Sequence, residues 1–146
     1  MKKTVIDSLK NVLSNTYLLY LKTQNYHWNV SGGPFFKTLH ELFETNYEEL
    51  AEAVDLIAER IRQLGDKAPA SFSEFSAYAL IKEGQSSKKY NQMLSELADD
   101  QKTMLKILQE AGELADSYKD DATLDLINQR LEAHSKAGWF YTSSLE

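Results

Sequence analysis

The 146-residue sequence contains no cysteine, which excludes disulfide bonds and thiolate metal sites and permits a reducing compartment. It also lacks any apolar run near the roughly 18–20 residues that a membrane-spanning helix needs. The N-terminal stretch MKKTVIDSLKNVL has neither the continuous apolar segment nor the small-residue cleavage site of a signal peptide. We therefore expect a cytoplasmic protein without a membrane segment.

Basic residues are outnumbered, with 16 Lys and Arg against 22 Asp and Glu, which gives a net charge of −6. Such a surface repels a phosphate backbone unless its basic residues are gathered in one place. The only basic cluster at the N-terminus is Lys2–Lys3. The charge balance therefore suits cations better than nucleic acid.

Proline and glycine are also scarce, with two and six residues, and apolar residues recur every three or four positions between them. This period predicts helices over about 4–30, 34–64, 87–118 and from 120 onward, with a short helix starting near 71. No period-two strand pattern is present. Four long helices with one short helix in the middle connection predict an all-α four-helix bundle, in a single domain over 1–146.

The second helix carries a polar stripe beside its apolar face, formed by His40, Glu44, Asp55 and Glu59. His40/Glu44 and Asp55/Glu59 are i, i+4 pairs, so each pair can converge on one point. The two pairs are about 22 Å apart along a straight helix, so one metal ion cannot touch both. Two antiparallel copies could bring His40 of one chain near Asp55 of the other. His27 ends the first helix, close to the tight turn into the second, so it can lie near His40.

Imidazole and carboxylate without thiolate suit Fe(II), Mn(II) or Zn(II). The same residues also have an ordinary explanation, since acidic side chains on a helix flank are usually solvated and a histidine beside an aromatic residue is usually packed. Spacing alone leaves both explanations open. A metal-free helical interaction module is therefore a further alternative.

The segments NYHWNVSGGPFFKTLHELFE and DLIAERIRQLG, together with AGWFY in the last helix, closely resemble the Dps family, the mini-ferritins. The resemblance covers nearly the whole chain and implies a ferritin-like four-helix subunit in a homo-dodecameric shell. It implies that Fe(II) is oxidised to Fe(III), preferentially by hydrogen peroxide, and stored as a ferric mineral. It thereby implies protection against oxidative stress.

The resemblance also implies the ligands of a ferroxidase site shared between two chains, which here are His27, His40, Glu44, Asp55 and Glu59. It implies iron as the metal, in a site able to hold two ions. Zinc is a substitute to expect, since it binds such donors more tightly than Fe(II).

The sequence departs from the family pattern in two places. The spacing between His27 and His40 is one residue longer than usual, and Ser31-Gly32-Gly33 is where we expect the extra residue. The lysine-rich N-terminal arm of DNA-binding members is not seen, so an architectural DNA-binding function remains the less favoured alternative. The sequence also has no E-x-x-H motif, which the intrachain di-iron site of larger ferritins requires.

Asp120, Asp121 and Asp125 open the last helix, where capping and the helix dipole already favour aspartate. The resemblance instead favours a three-fold pore admitting Fe(II), lined by Asp121 and Asp125.

Two other residue types are predicted to be structural. His134 shares the apolar stripe of the last helix and is expected to be packed rather than to bind metal. Trp28 and Trp139 are expected to be mainly packing residues, and the resemblance adds radical interception as a weaker role for Trp28.

Overall fold

The computed structural model describes the backbone of residues 2–146 and the side chains from Thr4 onward. The side chains of the predicted basic pair Lys2–Lys3 therefore lie outside the described part. The described chain contains α1 (Lys2–Asn29), a 3₁₀ turn (Gly33–Phe35), α2 (Phe36–Gln63), α3 (Phe72–Ala77), α4 (Tyr90–Ser117) and α5 (Asp121–Leu145). Residues 2–146 contain no β-strand, so the all-α prediction is confirmed.

The helix ends differ from the predicted ones by a few residues, for local reasons. Helix α4 begins at Tyr90, three residues later than expected. The Gln92 side chain accepts a hydrogen bond from the backbone N–H of Lys89 at 3.0 Å and so caps the helix there. Helix α3 begins after Ser71, whose Oγ accepts from the backbone N–H of Glu74 at 3.3 Å and donates to its carboxylate at 2.7 Å.

The helices pack as two antiparallel pairs. Helix α1 lies along α2, α4 lies along α5, and the two pairs meet mainly through α1 and α4. Helices α2 and α5 contact each other little, which leaves a groove of about 520 Å³ between them. The side chains facing inward, such as Leu9, Phe43 and Leu97, are fully buried. This is the predicted four-helix bundle with its short helix in the middle connection.

Several large aromatic residues lie outside this core. The prediction that Trp28 and Trp139 are mainly packing residues is wrong for the single chain, since each is 64% exposed. Phe36, in the first turn of α2, is likewise 43% exposed. These rings lie on helix faces that none of the other described helices covers. None of the described helices is long and apolar enough to cross a membrane.

Candidate metal centre

His27, at the end of α1, and His40, in the second turn of α2, form a stacked imidazole pair. Their ring centroids are 3.8 Å apart and their planes differ by 18°. Each Nδ1 lies 2.7 Å from the backbone carbonyl oxygen of the other histidine. The two residues are thus locked together by a reciprocal pair of hydrogen bonds.

These hydrogen bonds fix the protonation pattern of both rings. A carbonyl oxygen can only accept, so Nδ1 of each neutral imidazole must carry the proton. The other nitrogen, Nε2, then presents a lone pair, which is the form of histidine that binds metals. His27 Nε2 lies 4.0 Å from Oε1 of Glu44, a gap on the order of two metal–ligand bonds. The donors therefore fit an ion placed between them.

The connection between α1 and α2 allows this pairing. Gly33 has φ +55°, in the left-handed region that favours glycine. A side chain at Gly32 would meet the Tyr90 ring at 3.2 Å, so the chain passes close to α4 here. With this connection His27 and His40 meet, as expected. That Ser31-Gly32-Gly33 contains the extra residue of a longer spacing stays a prediction.

Asp55 and Glu59 lie further along α2, on an exposed face of the helix. The negative charge of Asp55, followed by a hydrogen bond between the two side chains, raises the pKa of Glu59. Two carboxylates this close repel each other unless a proton or a cation lies between them. Among residues 4–146 no cationic side chain pairs with these two carboxylates, so the pair is an exposed acidic cluster.

The predicted ligands do not form one complete site in a single chain. Among residues 2–146, no three His, Asp or Glu side chains converge as a metal site would require. The chain instead presents an imidazole half, His27 and His40 with Glu44 beside them, and a carboxylate half, Asp55 with Glu59.

The bundle interior contains a polar layer that the sequence analysis missed. Arg130 of α5 is 5% exposed and forms a bidentate ion pair with Glu49 of α2. The Arg130 guanidinium also lies 3.2 Å from His134 Nε2, and His134 Nδ1 lies 2.7 Å from Gln101 Oε1. Burial, helped by the positive charge of Arg130, lowers the pKa of His134 to about 3. His134 is thus a packed core residue, as expected.

This layer lines the α2–α5 groove, where the exposed Glu49 carboxylate neutralises the charge of the buried Arg130 guanidinium. The i, i+4 spacing of Arg130 and His134 on an apolar stripe was a signal for it, but the partners lie on other helices.

The three aspartates at the start of α5 have different roles. Asp120 is the N-cap, accepting from the backbone N–H of Thr123 at 3.1 Å and from Arg60 at 2.9 Å. Asp121 and Asp125 are exposed, and only Asp125 has a side-chain partner in the described chain, Gln129 at 3.2 Å. Capping therefore explains Asp120 but does not account for the other two.

Comparison with known proteins adds a family context. The ferritin-like domain family matches residues 6–146. A DNA protection during starvation protein from Brevibacillus brevis is 34% identical, over 99% of this chain and 99% of that one.

Two solved structures are closely similar. The crystal structure of a Dps protein from Bacillus brevis has a TM-score of 0.95 and 32% identity, covering 99% of this chain and 97% of its own. That of a Dps protein from Vibrio cholerae has a TM-score of 0.94 and 30% identity, covering 99% and 91%. The latter is described as a member of a broad superfamily of ferritin-like diiron-carboxylate proteins.

Proposed function

This chain belongs to the Dps family of ferritin-like proteins, and from that premise we propose that it is a ferroxidase that protects against oxidative stress. It oxidises Fe(II) to Fe(III), preferentially with hydrogen peroxide, and stores the ferric product as a mineral inside a shell of twelve chains in the cytoplasm. The observation that carries the proposal is the interlocked pair His27–His40, with both Nε2 lone pairs left free for metal.

The active site is shared between two chains related by a two-fold axis. One chain contributes His27, His40 and Glu44, and its partner contributes Asp55 and Glu59. Because such an interface is self-complementary, the imidazole half of each chain meets the carboxylate half of its partner. Two equivalent sites therefore form in each dimer. Ala51 is exposed on α2 between the two halves, and its small side chain allows a second helix to approach closely.

The donor set fits iron as the substrate. Imidazole and carboxylate are ligands for Fe(II), and carboxylates favour the more highly charged Fe(III). The stacked rings support two ions rather than one. The Nε2 lone pair of each histidine lies in the plane of its ring. The two ring planes are nearly parallel and the ring centroids are 3.8 Å apart, so one ion cannot lie in both planes at bonding distance. Zn(II) uses the same donors and is expected to compete.

The reaction is balanced when two Fe(II) ions and one peroxide react together. Two Fe(II), one H₂O₂ and two protons give two Fe(III) and two H₂O, so both electrons go to the peroxide and no hydroxyl radical is released. The imidazoles bind Fe(II), and the carboxylates neutralise the charge that increases on oxidation. A bound cation also relieves the repulsion between Asp55 and Glu59 that raises the pKa of Glu59.

Iron reaches the interior through a three-fold opening lined by Asp121 and Asp125. Both side chains are exposed on the same side of the first turns of α5 and neither caps the helix. Three chains would present six carboxylates there and attract a divalent cation.

A mixed-assembly experiment tests the shared site. His27→Ala with His40→Ala removes the imidazole half, and Asp55→Ala with Glu59→Ala removes the carboxylate half. Each double variant alone is expected to lose Fe(II) oxidation by peroxide under anaerobic conditions, by at least about a hundredfold. When the two variants are refolded together in equal amounts, random pairing makes half of the dimers mixed. A mixed dimer has one intact site out of two, so roughly a quarter of the wild-type rate should return.

Light scattering on every sample provides the control for assembly. A twelve-chain shell has a mass of about 200 kDa, twelve times the 16.7 kDa of one chain. If both double variants form this shell and oxidise Fe(II) as fast as the wild type, the site is wrongly assigned. If both are inactive but the mixture stays inactive, the halves do not come from different chains.

The DNA-binding alternative has less support from the described residues. The net charge of −6 opposes binding to phosphate. Salt-sensitive retardation of DNA in a gel at neutral pH would favour it over the iron function.

A further inference from the structure

Four aromatic rings stand in a row at the imidazole half-site. The Phe36 ring stacks on the His40 ring with centroids 5.2 Å apart and an interplanar angle of 25°. The His40 ring stacks on His27, and the Tyr47 ring meets His27 edge-on at 5.1 Å. Each imidazole of the pair thus contacts one further aromatic ring, Phe36 for His40 and Tyr47 for His27.

The flanking rings limit how the imidazoles can turn. A half-turn of either imidazole about its Cβ–Cγ bond would place Cδ2 against the carbonyl oxygen in place of Nδ1, and Cε1 where Nε2 should present its lone pair. The reciprocal hydrogen bonds oppose that motion, and a neighbouring aromatic ring in contact with each imidazole leaves it less space to turn. In metal sites, mutating a group that fixes the orientation of a ligating histidine typically weakens metal affinity by about 10- to 100-fold.

We propose that Phe36 and Tyr47 are positioning residues for metal binding, which hold the His27–His40 pair in its metal-ready orientation before the ion arrives. The inference rests on the proposed function and names the side chains that set the affinity of the same site. The carboxylate half has no such support, because Asp55 and Glu59 are exposed and repel each other. The imidazole half is therefore the preorganised part of the shared centre.

For both residues it is the ring that matters. Phe36 has no polar group, and it is 43% exposed, so its role is not that of a core residue. The Tyr47 hydroxyl makes no hydrogen bond within residues 4–146, whereas its ring contacts the rings of both His27 and Tyr20. Removing the hydroxyl while keeping the ring should therefore preserve most of the effect.

Anaerobic titration with Co(II) alone tests this role, since Co(II) accepts the same donors and its visible absorption reports the ligand geometry. Phe36→Leu and Tyr47→Leu are expected to bind Co(II) about tenfold more weakly than the wild type, with an altered absorption band. Tyr47→Phe should restore most of the affinity lost in Tyr47→Leu. In Fe(II) oxidation the two Leu variants should raise KM more than they lower kcat.

Phe35→Leu is the matched control. Phe35 precedes Phe36, is also exposed, and contacts Tyr90 rather than a histidine. The Phe35→Leu variant is expected to bind Co(II) with wild-type affinity and to form shells of the same mass as the wild type.

Two outcomes overturn the inference, and they can be told apart. If wild-type Co(II) binding survives His27→Ala with His40→Ala, the metal site itself is wrongly assigned and the positioning role falls with it. If binding needs the histidines but Phe36→Leu and Tyr47→Leu bind Co(II) with unchanged affinity and spectrum, the site stands and the positioning role is wrong. If Tyr47→Phe binds Co(II) as weakly as Tyr47→Leu does, the hydroxyl of Tyr47 and not its ring is responsible for the effect of that residue.

Discussion

The three histidines of this bundle occupy two different environments. His134 has partners at both ring nitrogens, Gln101 at 2.7 Å and Arg130 at 3.2 Å. His27 and His40 each engage only Nδ1 with a backbone carbonyl and leave Nε2 open. Burial does not separate the two cases, since His134 is 1% exposed and His27 is 5% exposed. The partner of the second nitrogen decides whether a buried histidine is structural or able to bind metal.

The acidic residues of α2 divide in the same way. Glu49 faces the α2–α5 groove and pairs with the buried guanidinium of Arg130. Glu59 faces outward, and its strongest electrostatic neighbour is the like charge of Asp55, which raises its pKa. Glu49 thus has a cationic partner in the same chain, whereas among the described residues Asp55 and Glu59 have only each other. Mutations in the two regions should therefore affect different properties.

The largest effect on stability is expected from Arg130→Met, which leaves Glu49 and His134 without their shared partner. Because Glu49 keeps partial contact with water, we expect a loss of about 2 kcal/mol in the free energy of unfolding. At fixed protein concentration this corresponds to a thermal midpoint lower by roughly 5 °C. Fe(II) oxidation per assembled shell should stay near the wild-type rate.

Arg62→Met is the matched control, because Arg62 is exposed and, within residues 4–146, its side chain donates only to the backbone carbonyl of Asp66. Its thermal midpoint should remain that of the wild type. A slower oxidation rate in Arg130→Met at unchanged stability would contradict the separation between interior and half-site.

A smaller effect is expected from His134→Gln, and it should depend on pH. In the folded protein the pKa of His134 is lowered to about 3, whereas the unfolded chain takes up the proton near the ordinary value of about 6.5. Between these values the unfolded state binds more protons, so stability falls as the pH decreases from about 6.5 towards 3. Glutamine cannot take up that proton, so the variant should lose less stability over this range.

The measurement is the thermal midpoint from neutral pH to about pH 4.5 in both proteins. Asp120 and Glu96 also have lowered pKa values and contribute to acid sensitivity, but they are common to both proteins. The difference between the two curves therefore isolates His134. Parallel curves would mean that His134 takes up its proton at the same pH in the folded and the unfolded protein, so that burial does not lower its pKa.

Much of the fold could be predicted from the sequence because helix formation is signalled locally. The three-to-four residue period and the few glycines and prolines placed every helix within a few residues. The approach of His27 to His40 also followed from a short connection. These are features in which the interacting residues are close in sequence.

The features that were not predicted depend on partners distant in sequence. Arg130 and Glu49 are 81 positions apart, and nothing in the spacing of either indicates the other. The reciprocal histidine hydrogen bonds involve backbone carbonyls, which carry no sequence signal. Trp139 was expected to pack because it is apolar, but a helical period does not tell whether a face meets another helix of the chain.

The smallest expected effect concerns iron passage at the start of α5. Asp120 already caps this helix and pairs with Arg60, so Asp121→Asn with Asp125→Asn should leave the fold, the shell and the oxidation site intact. The helix dipole opposes a cation here by only about 0.3–1 kcal/mol, less than several converging carboxylates supply.

Removing the carboxylates at the opening should slow iron uptake and mineral growth at least about threefold at about 20 mM salt, and less at about 0.5 M salt, because salt screens the attraction. Asp7→Asn with Asp99→Asn is the control, since it removes the same charge from exposed positions in α1 and in the middle of α4. Equal slowing in the control would assign the effect to the charge of the whole shell. Unchanged uptake at every ionic strength would mean that Asp121 and Asp125 do not attract iron and only stabilise the N-terminus of α5.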